Sequence, residues 1–232
     1  RAPGRKVRQP VGTGSGPGGT MKHKTTRDLF DYWQRIRAGR PAPDRSEIEP
    51  ADIRTMLGDT FILEVLSRKE YRFRLAGTRV CAAYGREMKG KEFLSFWQGK
   101  DREAVATLLA AITDDAAAAV VGVNGTSAHG RELAMECLLL PVAQAGQGVS
   151  RVLGSLVPMA DPYWIGIHPI MEQSISSLRL IWPDERPTQI QRPIGLPPSD
   201  IFQGGNEVAR TFRRRVGHLT VYDGGKHEGG RM

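Results

Sequence analysis

The chain has 232 residues and a formal net charge of +8, from 33 Lys and Arg and 25 Asp and Glu residues. The excess is uneven, because residues 1–24 carry six basic groups and no acidic one, whereas residues 25–183 carry 19 of each sign. The central part is therefore neutral, and the high isoelectric point does not by itself indicate a nucleic-acid partner. Two Cys residues in apolar patterns favour reduced, buried thiols over a disulfide framework.

The two ends of the chain differ in composition from the middle. Residues 1–24 are rich in Gly and Pro, so we interpret them as a flexible basic extension, with Met21 as a candidate natural start. Residues 161–232 contain many Pro and Gly residues and are predicted to form a largely irregular C-terminal tail. One folded domain is expected over residues 25–160. No apolar segment has the length of a signal peptide or membrane span, which predicts a soluble, cytoplasmic protein without a membrane partner.

The first half of the domain is predicted to hold a helix and a hairpin. Residues 25–38 form an amphipathic pattern that ends at Gly39. A Pro-rich linker and a short helix at 51–57 lead to a strand over 59–66 and its hairpin partner over 71–76. In the second strand Tyr71, Phe73 and Leu75 alternate with Arg residues, the pattern of a half-buried sheet. A short helix follows and is closed by Gly85.

The second half is predicted to hold one long helix and three strands. The helix covers residues 101–114, and the strands cover 118–127, 131–142 and 149–159. Met135 and Cys137 share the inward face of the middle strand, whereas Leu138 and Leu140 interrupt its polar side, so part of the outer face is also covered. This order predicts an α+β fold: a five-stranded antiparallel sheet with helices on one face, preceded by an N-terminal amphipathic helix.

The segment from about Thr25 to Pro158 resembles the PAS family of short, stand-alone proteins of alphaproteobacteria. The residues that carry the resemblance are Asp31-Tyr32-Trp33, Arg40-Pro41-Ala42-Pro43, Tyr71-Arg72-Phe73-Arg74-Leu75-Ala76-Gly77-Thr78, Gly85-Arg86-Glu87 with Gly90, and the strand Leu133 to Pro141. The resemblance implies a PAS-type sensor domain that passes signals through its N-terminal helix and outer sheet face, where such domains often dimerise.

The sequence lacks the patterns by which PAS-type sensors hold flavin or haem. Flavin-binding relatives place a reactive Cys in an Asn-Cys-Arg-Phe-Leu-Gln pattern, which does not surround Cys81, so we interpret Cys81 as a small buried residue. Haem-binding relatives need an axial His, and the predicted helix over 101–114 has none. The five His residues lie in predicted loops and tails without the spacing of metal ligands. We expect no metal and no coloured cofactor.

Two sets of residues are predicted to carry function. A small apolar cavity between the helices and the sheet is expected to bind a small apolar ligand, and its wall lacks charged groups. Its predicted lining residues are Phe73, Leu75, Tyr84, Trp97, Met135 and Cys137. A homodimer interface is expected where the N-terminal helix meets the outer sheet face. Its predicted residues are Leu29, Phe30, Trp33, Ile36, Leu138 and Leu140.

Together these features predict a cytoplasmic sensory or adaptor domain. It would bind a small ligand or an unidentified signalling protein and relay a regulatory signal without catalysis. Two alternatives remain open: a DNA-binding transcriptional regulator that uses the basic termini, and a small-molecule enzyme. The first needs a helix-turn-helix with clustered Arg and Lys, for which Leu178 to Trp182 is too short. The second needs polar side chains that converge in a pocket.

Overall fold

A computed structural model describes residues 21–183 and, as backbone only, two short strands near the C-terminus. The helices are α1 (Lys24–Arg37), α2 (Thr78–Ala83) and α3 (Gly99–Asp115), and short 3-10 helices lie at Arg45–Glu47, Leu57–Asp59 and Phe93–Phe96. The strands are β1 (Thr60–Ser67), β2 (Glu70–Ala76), β3 (Ala118–Ser127), β4 (Glu132–Gln144), β5 (Gly148–Pro158), β6 (Ile170–Ile181), β7 (Arg213–Val216) and β8 (Leu219–Tyr222).

The main sheet has six antiparallel strands in the order β2-β1-β5-β4-β3-β6. The predicted α+β class and the first five strands are confirmed, but the sheet has six strands rather than five. The sixth, β6, pairs with β3 from Ala118–Ile181 to Ser127–Ile170. Residues 161–183 therefore belong to the folded body, and the predicted boundary at residue 160 is wrong, because the free edge of β3 provides β6 with backbone partners.

The inner face of the sheet carries the main core. Side chains of α2, the 93–96 turn and α3 pack on the inward residues of the strands, in the way that the alternation in β4 predicts. The buried residues at the centre of this core include Leu63, Phe73, Leu109, Ile112 and Met135.

The outer face is covered by α1, so the helices lie on both faces of the sheet and not on one. Leu29, Phe30 and Trp33 pack on Leu138 and Leu140, and all five side chains are at most 2 % exposed. The Trp33 indole donates to the Pro141 carbonyl at 2.8 Å. Because the outward Leu residues of β4 are apolar, the sheet needs this cover, and it comes from the same chain.

A buried carboxylate fixes the start of α1. Glu136 on β4 is only 4 % exposed. Its oxygens accept from the backbone N–H groups of Lys22 at 2.8 Å and His23 at 3.0 Å. A carboxylate beside the free N–H groups of a helix start is stabilised by charge-assisted hydrogen bonds and by the helix dipole. Lys22 and His23, which precede the predicted boundary at residue 25, are thus part of the folded domain.

The remaining strands, β7 and β8, form a separate two-stranded antiparallel sheet. Residues 1–20 and most of the predicted tail lie outside the described residues, so the basic extension and the rest of the tail stay predictions.

Candidate functional site

A small cavity lies between the helical layer and the inner face of the sheet. Its volume is about 10 Å³, which is about the space that one water molecule occupies. The lining side chains are mostly aromatic or aliphatic: Phe61, Phe73, Val80, Tyr84, Phe93, Trp97, Val123, Cys137, Leu156 and Gln173. We call this space the Trp97 cavity.

Four polar groups reach the wall of the Trp97 cavity, and none of them is charged. The Tyr84 hydroxyl donates to the side-chain oxygen of Gln173. The indole N–H of Trp97 is buried and has no acceptor among the described protein atoms. Burial raises the pKa of the Tyr84 hydroxyl above its usual range, and burial together with nearby Glu136 raises the pKa of the Cys137 thiol to about 12. The wall of the cavity is therefore neutral and mostly apolar, and it includes a residue, Trp97, whose buried donor is unpaired among the described protein atoms.

The structure brings together four of the six predicted cavity residues. Phe73, Tyr84, Trp97 and Cys137 line the Trp97 cavity. Met135 is buried in the same core, but it is not part of the wall.

The prediction that Leu75 lines the cavity is wrong, because its side chain is 48 % exposed. Phe73 lies opposite Leu63 and Leu75 lies opposite Ile62, so Arg74 is an extra residue of β2 at this point. Such a bulge shifts the alternation by one residue and turns Leu75 away from the inner face.

Sequence reasoning missed several residues of the wall. Phe61 continues the inward alternation of β1 and could have been found by extending the pattern from Leu63. Gln173 could not, because it lies on β6, which the sequence did not predict. Its side chain is nevertheless the bonded partner of Tyr84 and the one contribution of β6 to the wall.

The predicted interface residues lie inside the chain. Leu29, Phe30, Trp33, Leu138 and Leu140 are buried between α1 and the sheet, and Ile36 packs beside them. A dimer through these residues requires α1 to leave its own sheet. The homodimer stays a prediction, and these side chains do not form a free surface of the fold.

The residues around the cavity do not fit a flavin. Cys81 is half-buried, its Sγ lies 3.9 Å from the Ala76 carbonyl oxygen and from the Glu87 carboxylate, and it does not line the Trp97 cavity. The Cys that does line it, Cys137, has a raised pKa and is a poor nucleophile.

Two histidines that the sequence left in separate loops meet at one end of the sheet. The rings of His129 and His168 are 4.6 Å apart between centroids. In residues 21–183, however, no three His, Cys, Asp or Glu side chains come together as metal ligands. Arg131, two residues after His129, places its guanidinium over the Tyr163 ring. None of the helices in the described residues combines the length and the apolar character of a membrane span.

The fold is an antiparallel sheet whose inner face and helical layer enclose a small cavity. The model of the PAS domain family matches residues 21–157. The chain belongs to this family. No curated protein matches the sequence.

Three solved structures illustrate the likeness. A light-oxygen-voltage domain studied with a flavin analogue is 14 % identical, with a TM-score of 0.38 over 49 % of this chain and 85 % of the other. A LOV protein of Rhodobacter sphaeroides is 15 % identical, with a TM-score of 0.38 over 58 % and 70 %. A PAS domain of Colwellia psychrerythraea is 12 % identical, with a TM-score of 0.34 over 48 % and 98 %. These values are too low to carry an argument about ligand or partner.

Proposed function

We propose that this chain is a cytoplasmic sensory domain that binds a small neutral ligand in the Trp97 cavity and relays its presence to a signalling partner. The observation that carries the proposal is the buried indole N–H of Trp97, a residue of the cavity wall, which has no acceptor among the described protein atoms. A buried donor without a partner is unfavourable by about 1–3 kcal/mol. A ligand that places an acceptor beside this N–H removes that penalty, and an apolar ligand body suits the remaining wall.

The chemistry of the wall supports binding rather than catalysis. It contains no Asp, Glu, Lys, Arg or His side chain. Its two titratable groups, Tyr84 and Cys137, have pKa values raised by burial and stay protonated at neutral pH. Neither group then serves as a general base or as an activated nucleophile.

The size of the cavity sets a condition on the ligand. At about 10 Å³ it holds about one water molecule, so a ligand with a ring must move the aromatic side chains of the wall apart. Binding of such a ligand is thus coupled to a shift in the helical layer, which is what a sensor requires.

The test uses a matched pair of probes on the full chain. Acetophenone carries a carbonyl acceptor on an apolar ring, and ethylbenzene has a similar shape without the acceptor. Acetophenone should shift the Trp97 indole N–H resonance in ¹⁵N-labelled protein, because that proton becomes hydrogen-bonded. Ethylbenzene should shift it less and bind more weakly, by about 10-fold for one hydrogen bond to a buried group.

The Trp97→Phe variant keeps an aromatic ring and removes this donor, so it should reduce the preference for acetophenone over ethylbenzene. Trp164→Phe is the matched control, because Trp164 is 5 % exposed in the same core but does not line the cavity. Native mass spectrometry of the purified chain should also show a retained small molecule. If neither probe perturbs Trp97 and no added mass is retained, the cavity is ordinary core packing.

A further inference from the structure

The segment Glu172–Ile175 of β6 stands between two interruptions of its ladder with β3. Thr126 lies opposite Glu172 and Ser127 opposite Ile170, so Met171 is an extra residue. Val123 lies opposite Ile175 and Gly122 opposite Ser177, so Ser176 is another. A bulge leaves its extra residue unpaired and disrupts the ladder locally. Four paired residues are therefore separated from the rest of the strand on both sides.

This segment is also tied to the helical layer, by two bonds that lie outside the ladder. The Gln173 side chain accepts from the Tyr84 hydroxyl, just past the end of α2. The backbone N–H of Ile175 donates to the Asp101 carboxylate, in the first turn of α3, at 2.9 Å. Val80 of α2 lines the Trp97 cavity and α3 packs in the same core, so the position of the segment depends on the helical layer that a ligand must displace.

Glycine on β3 makes the second interruption possible. A Cβ atom at Gly122 would lie 2.6 Å from the Ser176 hydroxyl oxygen, closer than real Cβ atoms approach. The Ser176 side chain thus packs closely against the backbone of Gly122. The side chains of Met171, Ser174 and Ser176 are exposed, so a shift of the segment alters the surface at this edge of the sheet.

We propose that the segment Glu172–Ile175 responds to ligand binding in the Trp97 cavity, through the bond between Tyr84 and Gln173. This inference rests on the proposed function, and it names the path by which ligand binding in the cavity alters the edge of the sheet at β6. The Tyr84 hydroxyl has one proton to donate. A carbonyl oxygen accepts two hydrogen bonds, so a ligand acceptor beside the Trp97 N–H can take this proton as well. Gln173 is then released, and the segment between the two bulges moves relative to β3. The ligand bonds to Tyr84 only when Gln173 does not. A neutral ligand with an acceptor therefore favours the state in which Gln173 is released.

Hydrogen exchange of the full chain, followed by mass spectrometry, tests this route without a natural ligand. Tyr84→Phe removes the hydroxyl and should speed exchange in peptides that cover residues 170–181 by about 2- to 12-fold, the range expected for loss of one side-chain hydrogen bond. Peptides from β4 and β5 should be unchanged. Tyr71→Phe is the matched control, because Tyr71 lies on β2, the opposite edge strand, and its hydroxyl is bonded at 3.4 Å to the Arg68 carbonyl in the turn between β1 and β2. It should leave β6 unchanged.

The second part of the test repeats the hydrogen-exchange measurement with acetophenone bound. It should speed exchange of β6 in the natural sequence and have no further effect in Tyr84→Phe. If acetophenone shifts the Trp97 resonance but β6 exchange is the same in all variants, the proposed function stands and this route is overturned. Uniform acceleration over the whole sheet overturns it as well, because it reports loss of global stability. Should Tyr84→Phe not fold, Gln173→Met breaks the same bond from the strand side and is read in the same way.

Discussion

Replacement of Trp33 tests whether α1 belongs to its own sheet. The Trp33 side chain is 2 % exposed, packs beside Phe30 with ring centroids 5.9 Å apart, and donates to the Pro141 carbonyl. It is the largest side chain between α1 and the outer face. Trp33→Ala removes this packing and the hydrogen bond together, whereas Trp33→Phe keeps a ring and removes only the donor and part of the volume.

The magnitudes follow from the burial of this side chain. A buried Trp replaced by Ala lowers the free energy of unfolding by about 3–5 kcal/mol. At about 2–4 °C for each kcal/mol in a domain of this size, the melting temperature should fall by about 6–20 °C. For Trp33→Phe the buried Pro141 carbonyl loses its donor, which lowers stability by about 1–3 kcal/mol.

Calorimetry and urea unfolding followed by circular dichroism measure both losses. Asp31→Ala is the control, since Asp31 lies on the exposed side of the same helix and should change stability by less than about 0.5 kcal/mol. Hydrogen exchange should also become faster in peptides of α1 when Trp33 is replaced.

One result would refute the reasoning. If Trp33→Ala melts like the parent protein but converts a dimer into a monomer in light scattering, the apolar stripe of α1 covers a second copy. The intramolecular position of α1 would then be incorrect, and the interface expected from the sequence would be right.

Two further predictions concern the thiols and the domain boundary. With a pKa of about 12, about one part in ten thousand of Cys137 is thiolate at pH 8. A thiol reagent should therefore react only with Cys81 until denaturant is added. Equal reaction rates of the two thiols would contradict this. A chain that ends at residue 160 loses Trp164 and Ile170, which are 5 % and 2 % exposed, and should lose several of the roughly 5–15 kcal/mol that stabilise a domain. Equal melting of chains ending at 160 and 183 would rule that out.

The sequence was sufficient for elements whose pattern is local. The strong alternation of β4 and the helical spacing of α3 predicted both elements within a few residues, because burial on one face imposes a period. It was insufficient for β6, where Ser and Gln residues dilute the apolar pattern and the strand exists because β3 offers a free edge. The bulge that turns Leu75 outward has no signature in an alternating pattern.

The residues of the candidate site also divide into those that local sequence patterns predict and those that they do not. Phe73, Tyr84, Trp97 and Cys137 follow from the phases of one strand pair and one short helix. Gln173 depends on a contact across 89 residues of chain, which no local pattern reports. The apolar stripe of α1 indicated that it must be covered, but not whether its own sheet or a second copy would cover it.

The position of Gln173 has a practical consequence for anyone who transplants this domain. The family resemblance stops at residue 157, yet one wall residue of the cavity comes from a strand that begins at Ile170. The segment that matches the family and the segment that builds the cavity therefore end at different residues. A chimeric receptor assembled from residues 21–157 would carry the first five strands of the sheet, with an open edge at β3 and without Gln173, the partner of Tyr84. A transplanted domain must include the residues up to Pro183 for the cavity to keep the same lining residues.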